Sequence, residues 1–185
     1  MPLPLPSGPL APRQPGDAHF VVWSLLESVC DPEIPVVNLR EMGILRAVHD
    51  TPQGLEVVIT PTYSGCPAMR QMNDDVLAAL RDAGVPARVV TQLAPAWSTD
   101  WMTPEAHIKL RAYGIAPPLA CATSASTQVV QFASKNKTLG AAGSVACPQC
   151  GSPNATEISH FGSTACKALY RCLSCLETFD YFKPY

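Results

Sequence analysis

The chain reads as an α+β protein: a small domain of order α-β-β-α-β-α, with helices packed against a mixed sheet, followed by a zinc-ribbon module. Three observations predict this. Helical and strand periodicities alternate over residues 17–116. Residues 117–145, PPLACATSASTQVVQFASKNKTLGAAGSV, then turn rich in Ala, Ser, Thr and Gly with two charges, the composition of a linker. Beyond it, over residues 146–185, two CxxC pairs sit among short apolar runs.

The first helix is expected from Asp17 as a cap, with Val22, Leu25, Leu26 and Val29 on one face, ending before Asp31-Pro32 because a residue preceding proline avoids the α region. DPEIPVVNLREMG follows as a proline-held loop. Ile44 to His49 and Leu55 to Ile59 read as a hairpin around Asp50-Thr51-Pro52-Gln53-Gly54. Pro67 suits a first helical position, and Met69, Met72, Val76 and Leu80 repeat at helical spacing until Gly84. Ala87 to Leu93 makes a third strand, and Thr103-Pro104-Glu105 opens a last helix closed by Gly114. Within the linker, Thr127 to Phe132 could form one strand. In the ribbon, Thr156 to Phe161, Ala168 to Arg171 and Glu177 to Phe182 read as strands.

Composition excludes several classes of function. With 47% hydrophobic residues the chain can build a core, and with 15% charged residues and a net charge of −2 it has no basic field for DNA, RNA or anionic lipid. Residues 1–16 carry prolines at 2, 4, 6, 9, 12 and 15 and no basic n-region, so they read as a disordered tail rather than a signal peptide. No run reaches the roughly 18 apolar residues that suggest a membrane span. A soluble, cytoplasmic protein is expected, and in that reducing compartment eight cysteines point to metal ligands or reactive thiols rather than disulfides.

Cys147, Cys150, Cys172 and Cys175 are the strongest signal. Two residues between thiolates let one tight turn aim both sulfurs at one ion, and a second such turn completes a tetrahedron. A module of this size has too small a core to fold without such a staple, which weighs against four merely buried cysteines. Zinc is favoured for a plain structural ribbon, with iron the rival because tetrahedral S4 sites take either. Over residues 147–185, Lys167, Arg171 and Lys183 balance Glu157, Glu177 and Asp180, so the ribbon is expected to face protein or be purely structural.

Cys66, in TPTYSGCPAM, stands at an expected helix start, where unpaired N–H groups and the macrodipole would lower a thiol pKa and make it a better nucleophile and ligand. The competing reading is a small buried hydrophobe. Asp31 and Glu33 straddle Pro32 in a rigid loop, either as a solvated turn or as a fixed pair of carboxylates. A hydrolase would need a base beside Cys66, and His19, His49 and His107 are scattered with no motif around them. Trp97 and Trp101 are expected as core or interface anchors. Cys166 could be a spare ligand, a reactive thiol, or simply packed against the ribbon, which is the default.

DPEIPVVNLREMGI, TPTYSGCPAM, AWSTDWMT, YGIAPP and FGSTACKALYRCLSC together closely resemble the PaaD (PaaJ) family, D subunits of phenylacetyl-CoA ring-1,2-epoxidase systems, from about Asp17 to Tyr185. Residues 17–114 also resemble the wider group of small iron–sulfur assembly domains that includes SufT; that group carries the Asp-Pro-Glu loop and a cysteine at the position matched by Cys66. Thr178, where the family leads us to expect proline, lies outside the ligand turns. The resemblance implies a non-catalytic accessory factor of aerobic phenylacetate degradation, with Cys66, Asp31 and Glu33 handling transient iron or an iron–sulfur cluster and zinc held in the ribbon. Its partners would be epoxidase subunits, with the flavin and [2Fe–2S] reductase favoured as client and the di-iron oxygenase second. A homodimer is left open, and the alternative is a structural or electron-transfer subunit of the complex.

Overall fold

The computed structural model describes residues 8, 10, 14–119 and 144–185. Helix α1 (Phe20–Leu26) buries Val22, Trp23 and Leu26. It begins later than Asp17, with His19 as a left-handed N-cap that makes no side-chain cap bond. The Pro15-Gly16 turn folds Asp17 back so that its carboxylate accepts the Gln14 N–H at 2.8 Å, so Asp17 closes the turn before the helix rather than capping the helix. Most of the expected tail lies outside the described residues. Leu10 is nevertheless buried in the core, and its carbonyl accepts from Arg40 Nη1 at 3.3 Å.

The segment expected as a loop is instead a two-stranded antiparallel hairpin of β1 (Cys30–Asp31) and β2 (Ile34–Asn38). Asp31 makes it: Oδ1 accepts the N–H groups of Glu33 (2.7 Å) and Ile34 (3.2 Å), closing a turn that pairs Asp31 with Ile34 across it. The prolines do not prevent this. Pro35 is exposed in a strand whose only partner among the described residues is β1, where a missing N–H breaks little.

Strands β3 (Leu45–Thr51) and β4 (Gly54–Ile59) form the expected antiparallel hairpin, and β5 (Ala87–Thr91) joins β4 in parallel to give the sheet order β3-β4-β5. A parallel neighbour needs a crossover, supplied by α2 (Met69–Asp82), which buries Met72, Val76 and Leu80 from its predicted stripe. The helix starts at Met69 with Ala68 as N-cap, so Cys66 and Pro67 sit in the turn before it and Pro67 is not its first residue. A 3₁₀ turn (Thr99–Trp101) leads to α3 (Pro104–Ala112), whose N-cap Thr103 accepts the Ala106 N–H through its hydroxyl at 3.3 Å.

The C-terminal sheet comprises β6 (Ile115–Ala116), β7 (Ala155–Ser159), β8 (Lys167–Cys172) and β9 (Thr178–Phe182) in the order β6-β9-β8-β7. Strands β7 to β9 are the ribbon's three antiparallel strands; β6, which directly follows α3, pairs in parallel with β9. The strand expected at Thr127 to Phe132 lies outside the described residues. Among the described residues no helix is long and apolar enough to cross a membrane.

Residues of both sheets meet in one core. Phe182 and Cys166 are buried in the same apolar cluster as Trp97, Met72 and Leu110. Trp97 stands edge-on to Phe182 (6.1 Å between ring centres) and Tyr185 (6.2 Å), and its indole N–H donates to the Met42 carbonyl at 3.0 Å. Trp97 is thus the expected interface anchor, while Trp101 is buried beneath the Arg46 guanidinium, 4.0 Å from its ring centre. Phe182→Ala should therefore cost about 3–5 kcal/mol, lowering the denaturant midpoint followed by Trp fluorescence. A loss below about 1 kcal/mol would show that the ribbon is not held by this contact.

Candidate metal sites

The four ribbon cysteines converge on one point. The sulfurs of Cys147, Cys150, Cys172 and Cys175 all lie within 4.8 Å of one another, with Cys147–Cys175 at 3.8 Å and Cys150–Cys172 at 3.6 Å. A tetrahedron with metal–sulfur bonds of about 2.3 Å has edges of roughly 3.8 Å, so the arrangement fits a four-thiolate metal ion. The local backbone produces it. Gly151 has φ +75°, a left-handed conformation that favours glycine, and its N–H closes the first turn onto the Cys147 carbonyl at 2.8 Å. In the second turn the N–H groups of Ser174 and Cys175 both donate to Cys172 Sγ at 3.4 Å. These bonds favour thiolate, that from Cys175 most, and the Cys172 pKa is pushed down to about 6.

A second cluster forms where the two sheets meet. The Asp31 turn presents Asp31, which is buried, and Glu33, which is half-buried. The turn before α2 presents Cys66, half-buried, its N–H donating to the Tyr63 carbonyl at 3.1 Å. The β7–β8 loop brings Thr164 and Cys166 from the ribbon, with Thr164 Oγ1 3.0 Å from Cys166 Sγ. The Thr164 hydroxyl also acts to lower the Glu33 pKa, against the burial and the Asp31 charge that raise it. Lys167 reaches these groups electrostatically while its Nζ pairs with Asp180 at 3.2 Å. The fold thus places Cys66 within electrostatic reach of Asp31 and Glu33, which lie more than thirty residues before it in the sequence.

The electrostatics reverse one expectation. Burial pushes the Cys66 thiol above its usual pKa, and the charges of Asp31, Glu33 and Cys166 add to this; the Ala68 N–H at the helix start pulls the other way and loses. Burial also raises Asp31 against the two N–H groups it accepts, and raises Glu33 with help from Asp31. Cys66 is therefore held as a thiol beside carboxylates, not as an activated thiolate. Cys166 departs from its default as well, since it packs into the core shared with the N-terminal elements rather than against the ribbon alone.

The histidines named as candidate bases have other contacts. His19 lies 3.5 Å from Asp50, His49 lies 3.1 Å from Glu56, and His107 Nδ1 lies 2.9 Å from the Thr103 carbonyl. Sequence reasoning missed Thr164, Lys167 and Tyr63. Tyr63 lies close enough for the charges of Cys66, Cys166 and Glu33 to raise its hydroxyl pKa, after burial as the main cause. The available signal was FGSTAC itself, a short polar run ending in a cysteine outside the CxxC turns.

A four-thiolate knuckle on a ribbon joined to a small α+β domain marks a candidate metal-binding protein. Residues 21–92 match the family model described as iron–sulfur cluster assembly protein, and residues 131–183 match the PaaD zinc beta ribbon domain. Over 175 residues the chain is 45% identical to the putative D subunit of the 1,2-phenylacetyl-CoA epoxidase of Escherichia coli (strain K12), covering 94% of this chain and 97% of that protein. The chain belongs to that family of epoxidase D subunits. Among solved structures, a domain of unknown function (DUF59) from Bacillus anthracis is 29% identical with a TM-score of 0.45, covering 49% of this chain and 88% of that one. A Mycobacterium tuberculosis protein associated with [Fe-S] complex assembly and repair is 26% identical with a TM-score of 0.32, covering 56% and 96%.

Two outcomes are expected. Alkylation of Cys66 by iodoacetamide should be slow at pH 7 and climb beyond pH 9, past the roughly 8.5 of a free cysteine, because only thiolate reacts. Asp31→Asn with Glu33→Gln should speed it near neutrality by removing like charge, and a rate already level between pH 7 and 8 would mean a depressed pKa instead. Separately, elemental analysis should find one metal ion per chain held by the ribbon, lost in Cys150→Ser with Cys172→Ser. Because the ribbon packs on the Cys66 seam, that loss should also raise Cys66 alkylation at pH 7.

Proposed function

We propose that this chain is an accessory maturation factor of a phenylacetyl-CoA epoxidase system, binding iron or an iron–sulfur cluster as cargo at Cys66, Asp31 and Glu33 and passing it to a client subunit. What supports this reading is that the charges of Asp31 and Glu33, from the turn they share, reach the half-buried Cys66 thiol. The two carboxylates set negative potential beside the Cys66 thiol, and an incoming cation would relieve that repulsion while displacing the thiol proton. Soft sulfur beside harder oxygen suits ferrous iron. A half-buried site with a single central thiol holds cargo less tightly than a closed four-thiolate cage, as transfer requires.

The ribbon has a different task. Its knuckle matches zinc geometry, and zinc there is a structural staple whose binding energy is folding energy. The reductase is the favoured client, because it carries the [2Fe–2S] cluster of such systems. The histidine contacts described above and the near-neutral charge of the chain favour an accessory role over an independent thiol enzyme.

Co-expression of Cys66→Ser with the epoxidase subunits tests this. The variant should keep its fold and ribbon metal, yet reduce cluster content of the reductase and phenylacetyl-CoA turnover at least tenfold. Cys66→Ala separates packing from chemistry: if burial were the whole role, activity would follow a stability loss of roughly 1 kcal/mol. Wild-type cluster content and turnover in both variants would exclude Cys66 as a transfer ligand, and stable redox-active iron in the four-cysteine knuckle would favour an electron-transfer role.

A further inference from the structure

We propose that the open edge of β5 pairs with β5 of a second copy of this chain, antiparallel about a two-fold axis through Val89, so that the two three-stranded sheets join into one sheet across two chains. The pairing involves none of Cys66, Asp31, Glu33 and the knuckle, and so stands or falls apart from the function proposed above.

An unpaired edge strand invites another strand, and proteins blunt such edges with bulges, proline, shortness or a cover. With one exception, the edge strands among the described residues follow that rule. Strand β3 carries an extra residue, Arg46, where its register with β4 slips between Leu45 and Ala47. Strand β7 carries Ile158 in the same way, between Glu157 and Ser159. Strands β1 and β6 are two residues long, and β2 contains Pro35. Strand β5 has none of these devices. It runs in unbroken register with β4 from Ala87 to Thr91, contains no proline or lysine, and has no strand on its other side among the described residues. Its single charge, Arg88, is already paired with Glu56 of β4. The Gln92 N–H donates inward to the Ile59 carbonyl at 2.9 Å. By the alternation of a parallel ladder, Arg88 and Val90 then also turn their backbone groups toward β4, and Ala87, Val89 and Thr91 turn theirs outward.

Both faces of β5 leave room for a neighbour. On the helix face a cleft of about 460 Å³ is walled by Leu77 and Leu80 of α2 with Val85, Pro86 and Ala87. On the other face Arg88, Val90 and Gln92 border a cleft of about 520 Å³. What selects a second copy over any other strand is that β5 is its own complement. A two-fold axis through Val89 sets Ala87 against Thr91 of the second copy and pairs every outward N–H and C=O of both strands. It sets Arg88 against Val90, so no like charges stand directly opposite. Continued beyond the strand, the same register sets Val85 against Leu93, since each lies four residues from Val89. Leu93 is 57% exposed, an apolar side chain left in water, and Val85 lines the apolar cleft beside α2. Each copy thus carries both a knob and a hole at equal distances from the axis, as a two-fold interface requires.

The test uses the full, zinc-replete chain at concentrations rising from micromolar to millimolar. Light scattering should find a monomer–dimer equilibrium, and Leu93→Asp, at an exposed position, should weaken it at least tenfold with the melting temperature of the dilute chain unchanged. Thr91→Pro should do the same, since the Thr91 N–H points away from β4 and its loss removes no bond within the chain. Residue-resolved amide exchange by NMR reads the edge directly in the unmutated chain. Arg88 and Val90 should be protected at every concentration, whereas Ala87, Val89 and Thr91 should become protected only as the dimer forms. A chain that stays monomeric throughout would overturn the proposal, and so would a dimer in which those three amides still exchange freely, because its interface would lie elsewhere. Protection that appears only on adding epoxidase subunits would give the edge to a different chain and overturn the second copy as its occupant. Because exchange is read on the unmutated chain, misfolding of either variant would not blunt the test.

Discussion

Strand β9 is hydrogen-bonded on both sides, to β8 of the ribbon and to β6, the two-residue strand that follows α3 after the Tyr113-Gly114 turn. That shared edge fixes the orientation of the ribbon. With β9 in place, Phe182 enters the core beside Trp97, and Tyr185 accepts the Thr99 N–H at 3.2 Å. The loop feeding β8 is then carried over the Asp31 turn and Cys66. Ladder hydrogen bonds are individually modest, but a strand paired on both edges cannot rotate without losing two ladders at once.

The chemistry of the seam depends on that docking. Asp31 alone would be an ordinary turn-forming carboxylate satisfied by two N–H groups. Burial raises its pKa and that of Cys66, while the charge of Lys167, itself nearly buried beside Asp180, pulls the carboxylates back down. In the ribbon knuckle, by contrast, N–H donors from Ser174 and Cys175 hold Cys172 toward thiolate.

Features set by neighbours in the chain were legible in the sequence. The CxxC turns, the β3–β4 hairpin, the Met72-Val76-Leu80 stripe of α2 and the Thr103 cap all depend on contacts a few residues apart, so spacing and residue type carried them. The Asp31 hairpin was missed because its prolines argued for a loop, whereas side-chain acceptance by Asp31 and an exposed edge removed their penalty. Asp17 was misplaced because Pro15-Gly16 turned its carboxylate back toward Gln14.

The sequence by itself determined the four-cysteine knuckle, the order of the main helices and strands, and the candidacy of Cys66, Asp31 and Glu33, since each rests on local geometry or on a quoted motif. Only the tertiary structure decided that the charges of Asp31 and Glu33 reach Cys66, that Cys66 is a raised-pKa thiol rather than a helix-activated thiolate, and that Cys166 is buried in the core shared with the N-terminal elements. The reason is physical. A pKa and a ligand set depend on what burial removes from water and which charges it brings near, and here those charges come from segments more than a hundred residues apart, from Asp31 to Cys166, joined only when β9 closes the sheet.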